Sequence, residues 1–428
     1  MKKHTATDHA RRNFLRLGVA GAAGLALGPL FGGPKGSEIK VQAAPITGMK
    51  RLIVYMMRGG NDGLNTLVPI NLNSYYDRRT GLAIAASTAL DLNSGPAATQ
   101  DYMLHPSLAN VATAYRDGDV AFIQGAGYPN ENLSHFTSED IWGYGVRGNF
   151  STLGIPISGW IARYADLYTT TGTGVVSIGQ GRPKELVGAN TAQPLILQDL
   201  EGFELNPDWA HQNNQPLREE IVQSLVAGRA WDGARADAAA ATEQGYALSA
   251  QVQAAVDNFT STETYGGGRQ AKHVKGIAQL IQAGFDTQIF FTGQGGFDTH
   301  STQSDGHSDL LTTFDGGLGS LIADLKTMSL WDDTVILVFS EFGRRNYVNG
   351  SGGTDHGHGN TMMVMGGGVT GGLYGPEPTN TDLDAEFLDY GVDFRTVYKQ
   401  VIQNHLGRDP SAIFPEMQDI DVSPGAFI

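Results

Sequence analysis

From Thr334 to Phe339 the chain reads Thr-Val-Ile-Leu-Val-Phe, a continuous apolar, β-branched run with no polar alternation. A strand buried on both faces of a parallel sheet reads this way, and an amphipathic edge strand does not. The run stops at Ser340-Glu341-Phe342-Gly343, and a glycine-rich loop then carries Asp355, His356 and His358 within four residues. Open α/β sheets bind ligands beyond the carboxyl ends of their strands. This loop is therefore where a metal or catalytic site is expected, the alternative being a solvated turn.

The same pattern occurs twice more. Leu52 to Met57 is an apolar run ending in Arg58-Gly59-Gly60-Asn61-Asp62-Gly63. Asn-Asp-Gly is also a turn sequence, but Asp62 stands where a strand-end carboxylate is expected. Gln288 to Phe291 predicts a strand leading into Gly296-Phe297-Asp298-Thr299-His300. On an extended backbone, residues two apart share a side, so Asp298 and His300 can address one ion. Further strands are predicted at 120–123, 175–178 and 361–365, and helices at 106–116, 159–167, 271–283, 310–325 and 393–405. Such alternation makes a three-layer α/β fold with a mainly parallel sheet the economical architecture. His307, ahead of the 310–325 helix, is expected at the surface.

Ser134 opens a helix reaching Trp142. It reads either as an N-cap or as a nucleophile at a helix end that favours anions. The adjacent His135 points elsewhere on a helix, so adjacency alone does not make it a base for Ser134. Residues 194–266 change character, with an Ala/Gln/Glu-rich helical segment at 215–256. They read as a helical insertion or cap on a single domain spanning 45–428.

Residues 1–44 read as a twin-arginine signal peptide: Arg11-Arg12-Asn13-Phe14-Leu15, a short Gly/Ala-rich apolar stretch and a small-residue cleavage site at Val41-Gln42-Ala43-Ala44. The stretch falls short of the ~20 apolar residues of a membrane span. The expectation is a periplasmic or secreted protein with no stable membrane span after cleavage, partnered by the twin-arginine translocase during export. The whole chain has a formal charge of −15, and residues 1–44 hold seven of its 29 Lys/Arg and two of its 44 Asp/Glu. The remainder carries 22 basic and 42 acidic residues, a charge of −20. So acidic a surface repels phosphate backbones and disfavours nucleic acid partners. With no cysteine in the chain, disulfides, thiolate ligands and thiol nucleophiles are excluded.

Asp62, Asp298, His300, Glu341, Asp355, His356 and His358 together form a sulfur-free donor set suited to Zn2+ or Mn2+, as one ion or a pair. Arg344, with Arg58, Arg345 and Arg395, offers guanidinium geometry for phosphoryl or sulfuryl oxygens. The Arg58–Thr66 run, Gly296–His300, Ser340–Arg344, Thr354–Asn360 and the closing Asp393-Phe394-Arg395 resemble the exported DUF1501 family. That family is similar to the alkaline phosphatase/sulfatase superfamily. The resemblance implies an alkaline-phosphatase-like core, a two-metal site and a Ser or Thr nucleophile, here Ser134, acting on phosphate or sulfate esters in small-molecule or polymer substrates. It implies that Asp298 and His300 bind one metal. For the Asp-His-Gly of the other metal, Glu341-Phe342-Gly343 and Asp355-His356-Gly357 both compete. A non-catalytic metal-binding or assembly protein on the same fold is the alternative. Replacing Arg11 and Arg12 by Lys is expected to leave the unprocessed precursor in the cytoplasm, which immunoblotting of cell fractions checks.

Overall fold

The Thr334–Phe339 run is a strand, buried at every residue, in a nine-stranded sheet. The computed structural model describes residues 44–146, 158–179, 181–201, 203, 220–221, 224, 232–414 and 422–428. Residues 1–43, where a leader is expected, and most of 215–231 in the expected 215–256 helix lie outside them. In chain order the strands are β1 (Arg51–Arg58), β2 (Val120–Gly127), β3 (Val175–Ile178), β4 (Leu195–Leu197), β5 (Ile289–Gly295), β6 (Thr334–Phe339), β7 (Asn360–Met365), β8 (Gly372–Tyr374) and β9 (Val392–Asp393). Their order across the sheet is β8-β2-β7-β6-β1-β5-β3-β4, with β9 also on β2.

Strand β1 shows why these runs lack alternation. Ile53, Tyr55 and Met57 join one apolar cluster, whereas Leu52, Val54 and Met56 join a second. Successive strand side chains leave opposite faces, and both faces are covered. Over the first lie Val111 and Tyr115 of helix Ala109–Asp117, Ile277 and Ile281 of helix Arg269–Gln282, and Leu318 and Leu321 of helix Gln303–Thr327. Over the second lie Trp142 of α1 (His135–Tyr144), Trp160 of helix Trp160–Tyr168, and Val397 and Tyr398 of helix Phe394–Gln400. The fold is thus a mixed α/β arrangement with a mostly parallel central sheet between helical layers.

Every strand but β7 runs in one direction; β7 pairs antiparallel with both β6 and β2. This orientation was not readable from its composition, and it matters. The loop leaving β6 doubles back, so residues 354–359 precede β7 at the same edge where β1, β2, β5 and β6 end. Two segments that look remote in sequence, Glu341 and Asp355–His358, therefore flank one edge.

Other departures have local causes. Helix Gln303–Thr327 begins seven residues before the expected start and takes in His307. That residue is buried, correcting the surface expectation, because its Nε2 donates to Asn61 Oδ1 at 2.9 Å. Helix Gly233–Asp257 buries Leu248, Val252 and Ala255 against the first-face cluster. A three-stranded sheet of Leu67–Pro69, Tyr102–Leu104 and Leu90–Asp91 was not anticipated.

Glu185, in the turn Lys184–Leu186, is buried, and loss of hydration pushes its carboxyl from 4.5 up to about 7. Its folded value exceeds its unfolded one, so folding takes up a proton between them and stability falls as pH rises through that window. Glu185→Gln is expected to exceed the wild type in unfolding free energy by about 3 kcal/mol at pH 8. The difference should vanish below pH 4.5, as followed by urea titrations across pH.

Candidate metal centre

Two glycines let the strand-end loops touch. Gly59 has φ +120°, and a Cβ there would lie 2.4 Å from the backbone nitrogen of Asp298. Gly60, at φ +77°, would meet the Phe342 ring at 2.5 Å. The β1 loop is thereby pressed against the loops after β5 and β6.

Beyond that contact, imidazoles from three segments meet one carboxylate. Asp298 Oδ1 lies 2.9 Å from His300 Nε2 and 3.1 Å from His356 Nε2, and those nitrogens are 2.9 Å apart. On its other side, Asp298 Oδ2 is 3.4 Å from His135 Nε2. His135 comes from the first turn of α1, after β2, and with Asp298 and His356 it offers donors within 4.8 Å of one another.

The opposite nitrogen of each ring is engaged. His356 Nδ1 is 2.7 Å from the Leu133 carbonyl, His300 Nδ1 is 2.9 Å from Asp355 Oδ1, and His135 Nδ1 is 2.7 Å from Glu341 Oε1. A carbonyl or carboxylate only accepts, so each Nδ1 carries a proton, and a ring that is neutral turns a bare Nε2 inward. Imidazole nitrogens and carboxylate oxygens 2.9–3.4 Å apart are held together either by shared protons or by a cation between them. Donors 2.0–2.2 Å from a tetrahedral ion lie about 3.3–3.6 Å from one another, so a few tenths of an ångström of opening would seat one. A partner holding the far nitrogen is the usual companion of a metal-binding histidine. The donor set thus fits a divalent ion.

The electrostatics agree. Burial alone would raise the Asp298 carboxyl, but the Arg344 hydrogen bond, the contact with His356 and the Arg344 charge together outweigh it and hold the group at about 2. Asp355 is likewise lowered, chiefly by its bond with His300. Burial lowers His356, whereas the bond to Glu341 raises His135. The centre is open to water: the side chains of Asp298 and His300 are 45% and 43% exposed. Phe342, centred 4.8 Å from the His135 ring and 4.7 Å from that of His356, packs against both.

The expected residues divide accordingly. Asp298, His300 and His356 come together. Glu341 and Asp355 reach the centre only through the histidines they hold. Asp62 is elsewhere engaged: it caps helix Gly63–Thr66 and pairs with buried Arg79 at 2.6 Å, with Gln303 on the same oxygen. His358 is buried between Tyr128 and Tyr390, near Asp389. Arg344, expected to meet a substrate oxyanion, has a wholly buried side chain. Its Nε donates to Gly60 O at 2.7 Å and its Nη1 to Thr354 O at 2.9 Å. Its Nη2 bonds the carbonyls of Gly59 and Phe297 and reaches Asp298 Oδ1 at 2.8 Å. The guanidinium is spent on loop carbonyls and the Asp298 carboxylate. Of the other arginines, Arg395 forks onto Asp393, Arg58 pairs with Glu139, and Arg345 bonds Tyr347 and Glu386. Ser134 is exposed at the N-cap of α1, and its side chain makes no capping bond. His135 was missed as a candidate donor because only the β2–β7–β6 order brings it to Glu341.

The fold and site define a mixed α/β protein with a solvent-facing His/Asp centre at the strand ends. The family model described as "Protein of unknown function (DUF1501)" matches residues 181–423, more than half of the chain, and the chain belongs to that family. No curated protein matches it. Among solved structures, the lipoteichoic acid synthase LtaP of Listeria monocytogenes is similar at 10% identity and TM-score 0.35, covering 91% of this chain and 78% of that one. The zinc complex of the periplasmic domain of EptC from Escherichia coli gives 9% and 0.37, covering 93% and 96%. An alkaline phosphatase superfamily protein of Vibrio parahaemolyticus gives 11% and 0.32, covering 94% and 78%. No helix among the described residues is long and apolar enough to cross a membrane.

Burial would raise the Asp62 carboxyl, but the charges of Arg79 and His307 and the hydrogen bonds from Arg79 and Gln303 together outweigh it and hold the group below its ordinary value. The stability it contributes is present above the unfolded carboxyl's value and lost as pH falls below it. Asp62→Ala strands the Arg79 charge and should cost about 3–5 kcal/mol, with ion uptake by the folded protein unchanged. His356→Ala should do the reverse, abolishing uptake at little cost in stability. Urea unfolding and elemental analysis check both.

Proposed function

We propose that this chain is an exported, metal-dependent hydrolase of phosphate or sulfate esters on an alkaline-phosphatase-like core. The observation that carries this is the convergence of the Nε2 atoms of His135, His300 and His356 on Asp298 at an edge open to water. The histidine-rich, sulfur-free set suits Zn2+ ahead of Mn2+. One ion is proposed, since a single donor cluster is found among the described residues. A bound divalent ion would polarise an ester oxygen and lower the pKa of a nearby hydroxyl.

The chain's own residues do the rest. Leu133 O, Asp355 and Glu341 fix the three rings, and Arg344 fixes Asp298 against the carbonyls of Gly59, Gly60 and Phe297. Ser134 is the proposed nucleophile. Its hydroxyl is not used as a cap, and its neighbours on both sides touch the centre, Leu133 through His356 and His135 directly. The N-terminus of α1 favours an anionic group at that point. The twin-arginine route and the helical insertion at 194–266 belong to the same proposal.

A second reading is a non-catalytic metal-binding or assembly protein. Were His135, His300, His356 and Asp298 all bound to one ion, the set would be closed, as in structural zinc, and this favours it. The mature chain, loaded with Zn2+ or Mn2+, is expected to cleave p-nitrophenyl phosphate or sulfate. A chelator should abolish turnover, and Ser134→Ala and His356→Ala should each lower it at least about 100-fold. Full ion occupancy without turnover would sink the hydrolase and leave the binder.

A further inference from the structure

We propose that Glu341 is a positioning residue that makes His135 a ligand of the centre, so that the carboxylate at the end of β6 acts through an imidazole and not on the ion. The inference rests on the metal-centre reading above.

Glu341 is fully buried, and both its oxygens are taken. Oε1 accepts from Gly59 N at 2.8 Å and from His135 Nδ1 at 2.7 Å, and Oε2 accepts from Ser340 Oγ at 3.1 Å. Its backbone carbonyl accepts the Ser138 hydroxyl. Glu341 therefore grips α1 at His135 and again one turn later at Ser138, joining that helix to the β6 and β1 strand ends.

The consequence falls on His135 Nε2. With the Nδ1 proton fixed by a carboxylate, the remaining nitrogen of a neutral His135 presents a lone pair. That nitrogen is sealed from solvent and has no hydrogen-bond partner, yet it faces Asp298 Oδ2 at 3.4 Å. Buried polar atoms are rarely left unsatisfied, and a bare nitrogen facing a carboxylate oxygen is satisfied by a cation between them. Phe342 prevents the ring from tilting away, and the His356 ring packs edge-on to it at 4.4 Å. The competing arrangement is a protonated His135 paired directly with Asp298, with no ion bonded to it.

The test uses the full mature chain loaded with Co2+. X-ray absorption counts the coordinated imidazoles, and competition with a chromophoric chelator measures affinity. The wild type is expected to show three imidazoles. His135→Ala and Glu341→Leu should each show two, with affinity lowered about 10–100-fold. Glu341→Gln, which keeps one acceptor oxygen, should fall between them and decides the matter if the Leu variant does not fold. Glu341 variants that keep the wild-type imidazole count and affinity overturn the proposal. So does His135→Ala with an unchanged count, the result expected of a simple ion pair. A wild type that takes up no ion sinks the metal centre and this inference together. A wild type with three imidazoles but no ester cleavage sinks only the hydrolase.

Discussion

The buried guanidinium of Arg344 is the joint on which the strand-end loops depend. Taking such a charge out of water is costly, and the cost is offset only when every N–H finds a well-placed acceptor. The acceptors here are carbonyls after β1, a carbonyl and carboxylate after β5, and Thr354 ahead of β7. No one loop can shift without leaving a buried donor unpaired. Asp298 is held in place before any ligand arrives.

Behind that joint lies a second polar layer. Asp62 joins Arg79 to Gln303, Gln303 Oε1 accepts from Thr354 Oγ1 at 2.6 Å, and Asn61 receives the His307 proton. These residues come from the same strand ends as the centre but face inward. Burial lowers His307 to about 4, so it sits neutral in this layer. Networks of this kind are stabilising only when complete. The most sequence-conspicuous carboxylate of the β1 loop therefore serves the scaffold and not the rim.

Much of the fold was legible because the strands are buried on both faces. Thr334–Phe339 was read to the residue, and β1 to within one residue at each end. The proximity of Asp298, His300 and His356 was legible in part, since two lie at adjacent same-side positions and the third follows a strand end. The rest was hidden for physical reasons. Nothing in Asn360–Met365 specifies direction, because a strand buried on both faces has the same composition either way. Without that direction, Glu341 and His356 could not be placed together, nor could His135 be brought to Glu341. Arg344 looked like a substrate contact because saturation by loop carbonyls leaves no trace in sequence.

The reversed course of β7 has a consequence for the order in which the molecule is completed. His356 reaches back 223 residues to the Leu133 carbonyl, and it can do so only once β7 has slotted between β6 and β2. Contacts so distant along the chain form late, after the entropy of closing the intervening loops has been overcome. An unfolded or half-folded chain offers no preassembled pocket. On the proposed reading, ion capture at this edge would be coupled to completion of the sheet, and occupancy would report on a finished fold.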